Sequence, residues 1–324
     1  MSAFSIVIPS YNDREKLARC LTSLNRLQSP PGGHEVLVAL DGSRDGSREM
    51  LEEAGTTWPG LPLRVFVLEH NQGRSAARNR ALSAARGEWI AFLDADLEVS
   101  PDWLIQLQSV QDRHTVVAVG AMRYRILDAR GQERPLKRYQ HYLQTRGPWK
   151  CRHGQTILAR YFYTCNSCVH RSLMERAGLF DEELRVWGGE DIDMGLRLGE
   201  AGALLRYAPG ALALHGQERS FRQHCQNLEA FGEHSLTHLL TRHPGLEREL
   251  SLSRLQGSGA EARLLRALDK HWVRRLLLGW EALSNGLGFG EKLYDLCVFL
   301  HYAGGWRRAH EGNDKDPVAR GSGK

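Results

Sequence analysis

Short apolar runs and helical stretches alternate through the first hundred residues. Phe4–Ile8 is a β-branched run closed by Pro9, and Glu35–Leu40 (EVLVAL) is a second one that ends at Asp41. Leu63–Leu68 and Trp89–Leu93 repeat the pattern. Between them, DREKLARCLTSLNRL sets Leu17, Leu21, Leu24 and Leu27 at helical spacing with Asp13 as a candidate N-cap. A further helix covers the stretch around Arg74–Ala85. Strand–helix alternation of this kind predicts an α/β fold, a mostly parallel, doubly wound sheet with helices on both faces. Ligands of such sheets collect beyond the carboxyl ends of the strands, which gathers Pro9–Asn12, Asp41 and Asp94–Asp96 on one rim.

From about residue 220 the pattern changes. FRQHCQNLEAFGEHSLTHLL, SRLQGSGAEARLLRALDKHWVRRLLLGWEAL and EKLYDLCVFLHYAGGWRR read as helices, with no further strand run. The expected organisation is an α/β domain over 1–220, a helical region over 221–310 and a polar, Gly-rich tail over 311–324 that reads as disordered. No internal repeat is present.

Composition narrows the function classes. A net charge of +5 over 324 residues suits a polyanionic ligand or an anionic membrane surface and is too small an excess to argue for nucleic acid. Six cysteines show no regular framework, and the N-terminal MSAFSIVIPSYN lacks a basic segment followed by an apolar core. The expectation is a cytoplasmic protein with reduced thiols. No apolar stretch approaches the roughly 20 residues needed to span a bilayer.

Several stretches carry candidate chemistry. PSYN (9–12) puts an aromatic ring and an amide at the rim, where a base could stack and a ribose could bond, although the same residues make a good turn. Asp41 opens DGSRDGS, which is equally turn or ligand loop. In NQGRSAARNRAL, Gly73 allows close backbone approach, and Arg74 and Arg78 at i and i+4 suit a diphosphate or a solvated helix face. WIAFLDADLE ends a buried run with Asp94 and Asp96, which in an extended chain point to one side and could hold Mg²⁺ or Mn²⁺ through oxygen. WGGEDIDMGLRLG places Glu190 and Asp191 at or near a helix start, where backbone N–H groups favour negative charge, as a candidate general base or simply as caps. ALALHG ends in His215, a third metal ligand or a surface histidine.

Taken in order, SIVIPSYN, DGSRDGS, NQGRSAARNRAL, FLDADLEV, TCNSCVHRSLMERAGLFDE and WGGEDIDMGLRL resemble the GT-A glycosyltransferases of family 2, over roughly residues 3 to 216. The resemblance implies a GT-A (Rossmann-like) catalytic domain with a nucleotide-sugar half at about 1–98 and an acceptor half at about 99–220. It also implies a nucleotide-diphosphate sugar donor, UDP-linked by analogy, a divalent Mn²⁺ or Mg²⁺ ion, and inversion at the anomeric carbon. By the same resemblance, Pro9, Tyr11 and Asn12 line the nucleoside pocket and Asp41 bonds the base. Gly73 and Arg78 serve the diphosphate side, and Asp94 with Ala95 lies near the ribose or donor sugar. Asp96 and His215 hold the metal, Asp191 is the catalytic base, and Trp187, Gly188, Gly189 and Glu190 face the acceptor, a glycan or glycolipid.

Other readings stay open. Transfer to a lipid phosphate, as in polyprenyl-phosphate sugar synthases, uses the same fold, and a sugar-nucleotide binder without catalysis would have no use for Asp191. Cys165-Asn-Ser-Cys168, with Cys151, His153 and His170 nearby in sequence, could hold zinc, although no second C-x₂-C accompanies it. WVRRLLLGWEAL and LYDLCVFLHYAGGWRR mix Trp, Leu and Arg; the pattern favours helices packed on the catalytic domain, with peripheral contact at the inner face of an anionic membrane as the alternative.

Overall fold

The computed structural model describes residues 3–313 except 129, 217–219, 285–286 and 288. The expected tail, apart from the helical residues 311–313, lies outside the described residues. Contacts divide the chain into two units. One comprises Met1–Leu136, Gln144–Arg185 and Glu190–Gln217, the other Lys137–Leu143, Val186–Gly189 and Glu218–Lys324.

The first unit is built on one nine-stranded sheet. Its strands are β1 (Phe4–Ser10), β2 (His34–Asp41), β3 (Leu63–Leu68), β4 (Trp89–Leu93), β5 (Leu97–Val99), β6 (Val116–Tyr124), β7 (Thr156–Ile157), β8 (Asn166–His170) and β9 (Leu204–His215). The order is β3-β2-β1-β4-β8-β6-β9-β5, with β7 paired to β9. The first four strands run parallel, as the strand–helix alternation predicts. Strand β8 is antiparallel to both β4 and β6, and β5 is antiparallel to β9, so the sheet is mixed beyond β4.

Alternation along the strands builds a core on each face. Phe4, Ile6 and Ile8, with Val36, Val38 and Leu40, pack against the helix Arg14–Leu24 through Leu17, Cys20, Leu21 and Leu24. Val7, Leu37, Ile90 and Phe92 pack on the other face, against Ala76, Ala77 and Ala81 of the helix Arg74–Leu82 and Met194 and Leu198 of the helix Glu190–Glu200. Asp13 occupies the expected N-cap position without capping; its carboxylate accepts from Lys16 instead, at 2.5 Å.

The later strands of the sheet are pinned by one amide. Asn166, fully buried, donates to the carbonyls of Ala121 (2.9 Å) and Ala211 (2.8 Å) and accepts from Trp103 Nε1 (2.8 Å). The β6–β9 register shifts where this happens, between Gly120 and Ala121. A Cβ on Gly120 would stand 2.4 Å from the Asn166 side chain, so only glycine lets that amide reach across.

The second unit is helical in its described residues. A capping box formed by Ser220 and Gln223 starts the helix Phe221–Ala230. A π-turn at Phe231–Ser235 continues into Leu236–Arg242. Tyr139, Tyr142, Phe221, Leu278, Phe289 and Tyr294 form its aromatic core, with Tyr142 and Tyr294 stacked at 4.8 Å. Gly232 lies against the last helix, Glu291–Asn313, so closely that a Cβ would meet the Tyr302 carbonyl. No described helix is long and apolar enough to cross a membrane.

Candidate active site

Parallel pairing aligns Ser10 with Leu40 and Asp41 with Leu68, so the carboxyl ends of β1, β2 and β3 form one rim. Loops there are stitched by side chains. Asn12 adopts φ 51°, its amide oxygen accepts from Arg44 N (2.8 Å), and its own N–H donates to Ser43 Oγ (3.1 Å). Tyr11 beside it is 47% exposed, an available ring at the rim.

Asp41 is tied into the loop that follows β3. Its two oxygens accept from the backbone N–H of Gln72 (2.7 Å) and Gly73 (2.9 Å), and the residue is buried. Those two bonds shape the loop. Gly73, at φ 97°, lets that loop turn directly into the helix Arg74–Leu82.

Arg78 is 1% exposed. Nη2 donates to Asp94 Oδ1 (2.9 Å) and Nη1 to Glu190 Oε1 (3.4 Å), with the Phe180 ring 5.7 Å away. Burial alone would lower its proton affinity, but Asp94, Asp191 and Glu190 outweigh that and raise it. Arg78 therefore ties Asp94 and Glu190 together. Arg74, one turn earlier and more exposed, also contacts Glu190 Oε1 (3.3 Å).

The two acids of FLDADLE do not share a face of a strand. Residues 95–96 form a turn between β4 and β5, with Ala95 buried, so alternation does not apply. Asp94 turns to Arg78, whereas Asp96 meets His215: its Oδ2 lies 3.2 Å from Nε2. The β5–β9 register explains this pair, because Leu97 sits opposite His215. Tyr124, opposite His215 on β6, holds the imidazole edge-on at 5.4 Å.

Glu190 and Asp191 open the helix Glu190–Glu200, as the glycine-preceded acids predict. Glu190 is 2% exposed, and its Oε2 is buried without a hydrogen-bond partner. Asp191 keeps part of its surface exposed, yet its carboxyl is packed among apolar and charged groups and accepts from Thr164 Oγ1 at 2.5 Å. Burial, then the charge of Glu190, pushes its pKa up to about 7 against the opposing pull of Arg78 and Thr164. Thr164 lies within a stretch that supports the family resemblance, but nothing in the sequence marks its hydroxyl as a partner of Asp191.

Trp187, Gly188 and Gly189 belong to the second unit. There Trp187 packs edge-on to His224 at 6.1 Å, and Gly188 (φ 83°) backs onto the Phe231 ring.

Cys168 is a core residue of β8 whose thiol is pushed up to about 12, mainly by burial. Cys165 is raised well above the usual range by burial and then by Asp94, Asp191 and Asp96. Neither joins a group of three convergent ligands among the described residues. The field at Cys165 also shows that all three acids converge on one neighbourhood. A separate cavity of about 480 Å³, lined by Val67, His70, Gln72 and Arg80 among others, contains none of them.

Residues 5–178, more than half of the chain, match the profile described as Glycosyl transferase family 2. The chain belongs to that family. The uncharacterized glycosyltransferase YfnE of Bacillus subtilis is 27% identical over a 259-residue alignment that covers 67% of this chain and 65% of YfnE. The pre-mycofactocin glycosyltransferase of Mycobacterium tuberculosis is 29% identical over 288 residues, 88% of this chain and 53% of its own. This glycosyltransferase thus spans between about half and two thirds of those relatives' length. Among solved structures, the mannosyltransferase PcManGT from Pyrobaculum calidifontis, in complex with GDP-Man and Mn²⁺, superposes with TM-score 0.61 at 17% identity, covering 97% of this chain and 88% of PcManGT. TarS of S. aureus (1–349) with UDP-GlcNAc gives 0.53 at 18% identity, with 96% and 92% covered. The glycosyltransferase has the expected GT-A fold.

Proposed function

We propose that this family 2 glycosyltransferase moves a hexosyl or N-acetylhexosaminyl group from a nucleotide-diphosphate sugar, UDP-linked in the first instance, to a hydroxyl of a glycan or glycolipid, with inversion. The single observation that carries this reading is Asp191: a carboxyl raised to about 7, oriented by Thr164 beside an acid cluster. A general base for an alcohol needs a pKa near the working pH.

A divalent ion fits the neighbouring pair. Asp96 and His215 are mostly buried, offer oxygen and nitrogen donors, and stand 3.2 Å apart, close to the ~3 Å edge between adjacent ligands of a Mn²⁺-sized ion. Bound there, such an ion would supply charge stabilisation for the departing diphosphate.

In the transfer, the acceptor oxygen attacks the anomeric carbon as its proton passes to Asp191. The bond from that carbon to the diphosphate oxygen breaks, and nucleoside diphosphate leaves with the electron pair. One displacement from the face opposite the leaving group inverts the centre. Pro9, Tyr11 and Asn12 line the nucleoside pocket, Asp41 and Gly73 shape its loop wall, and Asp94 with Ala95 borders the sugar. Glu190, with its unpartnered Oε2, accepts from an acceptor hydroxyl.

The same base argues against a lipid-phosphate acceptor. A phosphate monoester is already largely ionised near neutral pH and needs none. A pure binder needs none either. The remaining expectation is that the enzyme works in the cytoplasm, peripherally at the inner membrane face, where glycolipid acceptors reside.

The test is release of nucleoside diphosphate from a panel of UDP- and GDP-sugars with Mn²⁺ and a glycan or glycolipid acceptor series, with product anomers read by NMR. Metal-dependent release with inverted product supports the reading. Undiminished transfer by Asp191→Asn, or a retained anomeric configuration, overturns it.

A further inference from the structure

The helix His271–Ser284 turns the usual amphipathic arrangement around. Its buried residues are Arg274, Leu278 and Glu281. Arg274 faces Glu229 (3.3 Å) and Asp269 (3.7 Å), and Glu281 accepts from the Tyr294 hydroxyl (3.2 Å). The large apolar side chains point the other way. Trp272 is 64% exposed, Leu276 65%, Trp280 47% and Leu283 91%. They recur every three or four residues and so form one stripe, which Leu287 (65% exposed) extends just beyond the helix. Isolated exposed apolar residues need no explanation, but a contiguous stripe of two tryptophans and three leucines marks a surface that something apolar covers.

Charge indicates the occupant. The exposed charged residues on or next to this helix are Lys270 and Arg275, with His271 also exposed, whereas its one acid, Glu281, is on the buried face. Gly279 opens a groove of about 570 Å³ in the stripe between Arg275, Leu276, Trp280 and Leu283. An apolar face carrying tryptophan, with Lys270 and Arg275 as the exposed charges on and just before the helix, matches the boundary between anionic headgroups and acyl chains. No acid on the exposed face would repel such a surface.

We propose that this helix is a membrane-docking element, lying in the interface of an anionic bilayer with Trp272, Leu276, Trp280 and Leu283 immersed and Lys270 and Arg275 at the headgroups. The inference deepens the peripheral-membrane part of the reading above; it does not depend on the chemistry at Asp191. The sequence left peripheral membrane contact as the alternative to packing for this helix, and the proposal takes that alternative for its exposed face.

The test uses the full chain and flotation with phosphatidylcholine vesicles, with and without phosphatidylglycerol. The wild type should float with anionic vesicles and release as salt is raised. Trp272→Ser/Leu276→Ser/Leu283→Ser should lose about tenfold or more in partitioning. Arg275→Glu should weaken binding to anionic vesicles alone. Because these side chains are exposed, melting temperatures should match the wild type. Release of nucleoside diphosphate from soluble donor should be unchanged, so failure of docking and failure of the transferase reading are separable. Absence of wild-type flotation, or equal flotation by the triple variant, overturns the proposal. So does a wild-type dimer that the triple variant converts to monomer without any vesicle binding, since a second copy would then cover the stripe.

Discussion

Asp191 is a compromise between chemistry and stability that can be measured twice. Its folded pKa, about 7, lies above the ordinary value of 3.8, so the folded state holds the proton more tightly than the unfolded chain. That contribution favours folding at low pH and is lost as pH rises through about 7. Asp191→Asn should therefore abolish transfer, by about 100-fold or more, yet melt higher than the wild type at pH 8. The gap should close toward pH 5, and calorimetry across that range checks it. The acidic limb of kcat/KM should fall below about pH 7, because the base must be deprotonated. Thr164→Val removes a hydrogen bond that favours the ionised form, so this limb should move to higher pH; an unshifted limb would separate Thr164 from the base. The sequence made Asp191 legible through its glycine pair and helix start. It left Thr164 silent, since a hydroxyl acquires meaning only from what it faces, and it did not reveal the burial of Arg78 and Asp41, since a motif names a residue type alone.

Elements carry the next level of information. Strands β1 to β4 were readable because parallel neighbours joined by helices leave compact apolar runs in the chain. Beyond residue 97 the pairing becomes mixed and long-range: β8 inserts antiparallel between β4 and β6, and β9 runs parallel to β6 and antiparallel to β5. Local pattern holds no record of such partners, so this part of the sheet was legible only in the strand-like ALALHG. The C-terminal helices were readable as helices, but not which face each buries. Close approach in that unit rests on glycine. Gly232→Ala would drive a Cβ into the Tyr302 carbonyl and should cost about 1–3 kcal/mol, read as a lower melting temperature with donor chemistry intact. On the sheet, His215→Ala should remove the Mn²⁺-dependent part of nucleoside-diphosphate binding while leaving the weaker metal-free binding, a difference that titration calorimetry resolves.

At the scale of the whole molecule, ligand binding should appear as stability. Nucleoside diphosphate with Mn²⁺ at about 100 times its Kd should add about 2.7 kcal/mol, against almost nothing for Mn²⁺ alone, and a thermal-shift series measures both. The pairing of Asp96 with His215 has a further consequence, which concerns time. Asp96 is synthesised before His215, and only the closing of β5 onto β9 brings them together. A ribosome-bound chain that stops short of β9 would carry β1 to β4 complete and the Asp96–His215 pair unmade. If that pair holds the cation as proposed, metal affinity would report that the sheet has finished assembling.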